Sequence, residues 1–285
     1  MHRVFDTLCL RSEAGIAHLT FNNPPVNLID MRMMRDLDAA TRLIESDSEI
    51  RVLVVESAIP DYFLARIDLA LLDIVKQQTE RLTEPGLYQG ILERFRTMPK
   101  ATIGKIKGRA RGAGSELALA LDMRFAAESA VLGQPEIAFG FPPGGGAVTR
   151  LRRMTGRGRA LEILLSGDDY SATEAATYGW VNRAIPDEQL DDFVETLARR
   201  ISRYSIDAIG TLKEAFVGAE DASTVDGLLN EWFLFGRALR TPEAGRRLQR
   251  FARIEAPVEN LDKDLPSVFD LLSASRPAGA SEADA

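Results

Sequence analysis

Between Gly15 and Phe21 the chain alternates Ile16, His18 and Thr20 with Ala17, Leu19 and Phe21, the two-residue period of a strand with one buried face. Asn22 to Pro25 ends that run, because proline cannot continue a ladder. Asp30 then stands where an N-cap belongs, ahead of an apolar stripe at Met31, Met34, Leu37 and Ile44 that predicts a helix. Arg51 to Glu56 is almost continuously apolar, as expected of a parallel strand covered on both faces. The rhythm repeats less cleanly with a strand over Ala101 to Lys107, a turn from Gly108 to Gly112, a helix from about Gly114 to Leu121, and a short strand from Met123 to Ala126.

Beyond Pro143 the pattern is mostly helical. Ser171 and Glu174 have capping-box spacing, and Gly179 sits where a left-handed residue would end that helix. Phe193 to Tyr204, Ile206 to Val217 and Val225 to Leu239 read as amphipathic helices. The expected organisation is a mixed α/β body over residues 1–200, a helical region over 201–272, and a small, polar, disordered tail over 273–285.

Composition narrows the chemistry. A chain of 285 residues, 45% apolar and 27% charged, can build a sizeable core. Its net charge of −7 disfavours a nucleic-acid or anionic-membrane partner. The single cysteine, Cys9, excludes an internal disulfide framework, and the only histidines, His2 and His18, stand near the start. A zinc centre and a Ser-His-Asp triad therefore lose most of their support. The N-terminus lacks the apolar core of a signal peptide, and no apolar run approaches the roughly 18 residues that span a bilayer, so a cytoplasmic location is expected.

Three segments could carry chemistry: Tyr62 to Leu69, Gly108 to Leu119, and Gly133 to Gly146. In the second, a glycine-rich turn feeds a helix, leaving backbone N–H groups without intrahelical acceptors at the positive end of the helix dipole. Such a place suits an anion. A phosphate loop would need a Gly-Lys-Ser/Thr sequence that is absent, and a dinucleotide fingerprint would need glycine at Leu117. A developing oxyanion remains as a guest. Glu116 lies in the first turn of that helix, and Glu136 follows within a Pro- and Gly-rich segment. Paired carboxylates can divide acid and base roles. Spacing alone leaves open a dipole-stabilised helix glutamate beside an unrelated loop glutamate.

Taken together these segments resemble the crotonase superfamily, the enoyl-CoA hydratase/isomerase family, over roughly residues 10–255. Asn22-Asn-Pro-Pro-Val-Asn27 looks like the family's Asn-Arg-Pro-x-x-Asn, and Phe63-Leu-Ala-Arg-Ile-Asp68 like its Phe-x-Ala-Gly-x-Asp. Gly108 to Asp122 looks like Gly-x-x-x-Gly-Gly-Gly-x-Glu-Leu-Ala-x-x-x-Asp. Gly133-Gln-Pro-Glu136 with Pro143-Gly-Gly-Gly146, Arg150 and Leu151 looks like its Pro-Glu and Pro-Gly-x-Gly-Gly block. The resemblance implies a spiral of ββα units with a helical C-terminal region, assembled as a homotrimer or dimer of trimers. It implies an acyl-CoA substrate and no separate cofactor, coenzyme A arriving as part of the substrate. It places the backbone N–H groups of Ile67 and Ala113 in an oxyanion hole, and Glu116 and Glu136 at the catalytic positions of hydratases. It puts Ala65, Arg66, Asp68, Leu69, Gly112 and Phe251 around the bound thioester. Hydration of a 2-enoyl-CoA is the expected reaction. Isomerisation, decarboxylation or C–C cleavage through the same enolate, and a CoA-binding scaffold without turnover, are the alternatives.

Two positions depart from the family pattern. Arg66 stands for the glycine of Ala-Gly-x-Asp, and Ala113 for the middle glycine of Gly-Gly-Gly. Neither removes an N–H, but a side chain at a positive φ would cost about 1 kcal/mol or displace the loop. Arg66 could meet a CoA phosphate or a substrate carboxylate, or simply face solvent. Lys105 and Lys107 are unexpected in a strand the family makes apolar. The cluster Arg150, Arg152, Arg153, Arg157 and Arg159 suggests helix and subunit contacts rather than nucleic acid.

Overall fold

In a computed structural model, the described residues are 1–254, 263 and 265–273; the expected disordered tail lies almost wholly outside them. The chain forms two compact units, Met1–Ser202 and Arg203–Ala285.

The first unit begins with β1 (His2–Val4), β2 (Leu8–Glu13) and β3 (Ile16–Phe21), paired antiparallel in succession. The sequence pattern leaves residues 1–14 without an element, yet Leu8 and Leu10 alternate inward along β2 as Ala17, Leu19 and Phe21 do along β3. Helix α1 (Met31–Ser46) starts at Asp30, whose carboxylate accepts from the Met33 N–H at 2.8 Å. Its stripe of Met34, Leu37 and Ile44 is buried.

Then the chain spirals. The strand β4 (Val52–Ser57) joins the large sheet and β5 (Tyr62–Leu64) a smaller one, followed by α2 (Leu72–Lys76) and α3 (Leu87–Thr97). A second turn repeats this with β6 (Ala101–Ile106), β7 (Arg109–Arg111) and α4 (Ala113–Ala120). A third has β8 (Met123–Ala127), β9 (Val131–Gly133), a 3-10 turn at Pro135–Phe139 and α5 (Ala147–Ser166). Then come β10 (Asp169–Ser171), α6 (Ala172–Tyr178), β11 (Arg183–Ile185) and α7 (Leu190–Ser202). The large sheet runs β1-β2-β3-β4-β6-β8-β11, parallel from β3 onward; the small one runs β10-β9-β7-β5. The expected spiral of ββα units is thus the observed fold. Val52 to Val55 are fully buried on β4, an interior strand between β3 and β6 against which α7 packs.

Local expectations fare unevenly. Ser171 and Glu174 form the capping box, and Gly179 ends α6 at φ 83°. The stretch Gly108 to Gly112, expected as a turn, contains β7, where Ala110 points inward between Arg109 and Arg111. Three residues are too few for a period to stand out. The two unexpected lysines are matched by α7, which covers their strand. Lys105 pairs with Glu56 and, at 2.9 Å, with Asp191; Lys107 meets Asp191 at 2.7 Å. His18 lies 3.3 Å from the Glu56 carboxylate.

The second unit contains α8 (Ile206–Ala219), α9 (Thr224–Leu239), α10 (Pro242–Ala252) and a last helix, Leu265–Ser273. Ser223 and Thr241 cap α9 and α10 through their hydroxyls.

Candidate active site

The second turn of the spiral builds the centre of the site. Between β7 and α4 the backbone passes through Gly112 at φ 52° and ψ −124°, a conformation that a side chain resists. A Cβ there would also sit 2.7 Å from Glu136 Oε1. At Gly114 a Cβ would collide with the Leu64 carbonyl of the neighbouring loop. Ala113, between these glycines, keeps a negative φ, and so does Arg66; among the described residues the non-glycine positions with positive φ are Ala14 and Asn27. The two departures from the family pattern therefore carry no backbone strain.

As the first residue of α4, Ala113 has no carbonyl one turn earlier to receive its N–H. Ile67 reaches the same condition differently. In its isolated bridge with Ile29, the bonds run from Ile29 N to Arg66 O and from Asp68 N to Ile29 O, both 2.9 Å. The bridge uses the groups flanking Ile67 and leaves its own N–H out. Among the described residues neither amide donates to a protein acceptor. The loops that carry them abut, since Arg66 Cβ lies 4.0 Å from the position a Gly112 Cβ would take.

Asn27 fixes the first loop. At φ 54° its buried side chain donates to Ser57 Oγ at 2.8 Å, Phe63 O at 3.0 Å and Tyr62 O at 3.2 Å. Asp68 caps the following 3-10 turn by accepting from the Ala70 N–H at 3.0 Å. Ala65 is half-buried and Leu69 exposed. The exposed Arg66 folds onto its own loop, donating to Ile67 O at 3.2 Å.

Glu116 is buried, and its Oε1 accepts from Gly145 N at 2.7 Å and Ala147 N at 3.2 Å. Burial raises its pKa, and those N–H groups with the Arg150 charge only partly oppose the rise. Glu136, half-buried on the Pro135–Phe139 turn, is raised to about 7, by burial first and by the negative charge of Glu116, against its own backbone N–H. The fully buried amide of Gln134 lies against Glu136 Oε2 at 3.0 Å and Ser115 Oγ at 3.2 Å, and the assignment that satisfies both contacts directs its nitrogen to the carboxylate and its oxygen to the hydroxyl. Ile67, Arg66, Gly112, Ala113, Glu116 and Glu136 thus gather on adjoining segments. Phe251 is exposed on α10 of the second unit.

Sequence reasoning passed over the contribution of α3. Tyr88 Oη donates to Ala113 O at 2.6 Å, and Gln89 Nε2 donates to Gly144 O at 2.7 Å. Glu93 Oε1 receives Arg150 Nη2 at 2.6 Å, while Arg150 Nη1 donates to Gly145 O at 3.0 Å. The signal was present: Ile91, Leu92 and Phe95 are buried at helical spacing. Arg150 is accordingly an interior residue. Arg159 donates to Thr177 O at 3.3 Å and lies over the Tyr178 ring, while Arg152 and Arg157 are exposed.

Among the described residues, no group of three or more His, Cys, Asp or Glu side chains is placed to hold a metal ion, and no helix is long and apolar enough to cross a membrane.

Comparison with known proteins agrees with this architecture. Residues 11–254 match the model of the Enoyl-CoA hydratase/isomerase family. A Bacillus subtilis protein named a probable enoyl-CoA hydratase is 31% identical over 88% of this chain and 98% of its own length. The short-chain-enoyl-CoA hydratase of Clostridium acetobutylicum is 28% identical over 84% of this chain and 91% of its own. The crystal structure of an enoyl-CoA hydratase from Bacillus anthracis superposes with a TM-score of 0.81 at 27% identity, covering 88% of this chain and 98% of that one. By motif, fold and relatives, the chain is an enzyme belonging to the enoyl-CoA hydratase/isomerase family of the crotonase superfamily.

Proposed function

We propose that this protein hydrates a 2-enoyl-CoA to a 3-hydroxyacyl-CoA. The observation that carries the reading is the carboxyl pair: Glu116 anchored by two backbone N–H groups and Glu136 beside it, both raised by burial and Glu136 to about 7. Two carboxyls coupled in this way can hold one proton between them and so divide the acid and base roles.

In this reading Glu116 orients the water and takes its proton as the oxygen bonds to C3. Glu136 gives its proton to C2. The thioester oxygen gathers enolate charge meanwhile and is held by the N–H groups of Ile67 and Ala113, each such donor being worth about 3 kcal/mol in the transition state. Proton transfer between the two carboxyls then restores the starting charges. An isomerase moves one proton along the acyl chain and needs no second carboxylate, so retention of both favours hydration.

Assays of Glu116→Gln, Glu136→Gln and the double variant on 2-enoyl- and 3-enoyl-CoAs test this. Each single change should lower kcat by at least about 10²-fold, with far less than additive loss in the double. Turnover that survives Glu116→Gln but not Glu136→Gln would replace hydration by double-bond migration. Absence of turnover on every thioester, despite binding, would leave a scaffold.

A further inference from the structure

Glu116 takes its hold from the glycine run Gly144 to Gly146. Gly145 N donates to its Oε1 at 2.7 Å and Ala147 N at 3.2 Å, and the Gly146 N–H acts on the same carboxylate. The carboxylate therefore faces three successive peptides, Gly144–Gly145, Gly145–Gly146 and Gly146–Ala147. In each, the carbonyl at the other end of the same plane is tied down from behind. Gly146 O accepts from Arg150 N at 3.0 Å, the first bond of α5. Gly145 O accepts from Arg150 Nη1 at 3.0 Å, and Glu93 holds that guanidinium at 2.6 Å. Gly144 O lies ahead of the helix, and its donor is Gln89 Nε2 at 2.7 Å.

This first peptide gives Glu116 the shorter of its two bonds and has the least else to hold it. A Cβ on Gly144 would meet nothing within 4 Å, so packing does not fix that residue. Glycine stands on both sides of the peptide and accepts either sign of φ, so the unit is free to flip. Flipped, it would turn a carbonyl oxygen toward the carboxylate in place of the N–H. Gln89 is itself anchored, because its Oε1 accepts from Gly86 N at 3.2 Å at the start of α3 and its nitrogen is left to face Gly144.

We propose that Gln89 is a positioning residue: its amide holds the Gly144 carbonyl and thereby keeps the Gly145 N–H on the Glu116 carboxylate. Its part in turnover rests on the hydration reading of Glu116 given above; its hold on the carboxylate does not. An N–H donated to a carboxylate favours the ionised form, so release of the Gly145 N–H should raise the Glu116 pKa further above its ordinary value.

The test is Gln89→Met, which keeps the length of the side chain and removes both of its bonds. Gly86→Pro is the companion variant. Gly86 has φ −63°, which proline adopts, and the change removes the N–H that Gln89 caps while leaving the bond to Gly144. Glutamate carboxyls labelled with 13C report Glu116 without turnover, its signal being the one missing from Glu116→Gln. In Gln89→Met the Glu116 midpoint should rise by about one unit, and in Gly86→Pro it should stay at the native value. On 2-enoyl-CoAs the acidic limb of kcat/KM should move with it, and kcat should fall about tenfold with KM nearly unchanged. A Glu116 midpoint unmoved in Gln89→Met would overturn the proposal, and so would an equal rise in Gly86→Pro, which would assign the effect to the helix cap. A raised midpoint in Gln89→Met alone, in a protein whose native form turns over no enoyl thioester, would overturn the hydration reading and support the hold on Glu116.

Discussion

Replacing Glu136 by glutamine should make the protein more stable at alkaline pH while disabling it. Glu136 titrates at about 7 in the fold against an ordinary 4.5, because burial and the adjacent Glu116 disfavour its charged form. The sign follows from linkage: a carboxyl whose folded pKa is raised favours the native state below its unfolded pKa, and that contribution disappears as pH rises through the folded value. At pH 8.5 the native protein bears an unfavourable ionised Glu136; at pH 4 it does not. With each pKa unit worth about 1.4 kcal/mol, the full difference is about 3 kcal/mol. Glu136 is only half-buried, and solvent screening reduces the expectation to about 1–2 kcal/mol. Glutamine never ionises and its amide oxygen can still accept from Gln134, so the variant should gain that amount at pH 8.5 and nothing at pH 4. The assay is chemical or thermal unfolding of both proteins from pH 4 to 9, where the gain amounts to a few degrees in Tm. A difference independent of pH, or a variant less stable at pH 8.5, would refute the reasoning.

For the proposed hydration, kcat/KM should fall on the alkaline side with an apparent pKa near 7, as Glu136 loses the proton it would deliver in that reading. Acyl-CoAs at a hundredfold excess over Kd should raise the thermal midpoint by the equivalent of about 2.7 kcal/mol, and NAD should raise it less; an equal or larger shift from NAD would contradict the ligand class. At Glu56, burial pushes the pKa up but His18 and Lys105 outweigh it, holding the group near 2. The stabilisation this represents is complete above the ordinary value of 4.5 and is lost as pH falls toward 2. Lys105→Met should therefore destabilise the protein by about 2–3 kcal/mol at pH 7 in denaturant unfolding, with a shrinking deficit in acid.

What the sequence revealed depended on whether a segment's chemistry was local. Asp30, Ser171, Glu174 and Gly179 act through neighbours within four residues, and each forms the cap its spacing predicts. Val52 to Val55 announced a doubly covered strand because the pattern is the burial itself. The short strands β5, β7 and β9 were nearly invisible, each having three residues and drawing its pairing from another turn of the spiral. Lys105 and Lys107 looked anomalous only because their partners Asp191 and Glu56 are distant in sequence. Tyr88, Gln89 and Glu93 belong to the same class: nothing in their own segment indicates that Ala113, Gly144 and Arg150 are waiting for them.

The departures at Arg66 and Ala113 show which features of the motif the geometry requires. An oxyanion donor is a backbone group, so side-chain identity matters only where it controls φ or fills space. In this chain the left-handed turn is taken at Gly112 and the close approach to Leu64 at Gly114, while Asn27 takes the positive φ on the opposite loop. Those are the positions where a Cβ, or an exchange for a branched residue, would displace the donors. Arg66 and Ala113 lie between them with ordinary backbone angles, and the arginine side chain turns back onto the Ile67 carbonyl. A glycine motif can therefore lose a glycine without losing its hydrogen-bond donors, provided that the remaining glycines occupy the turns.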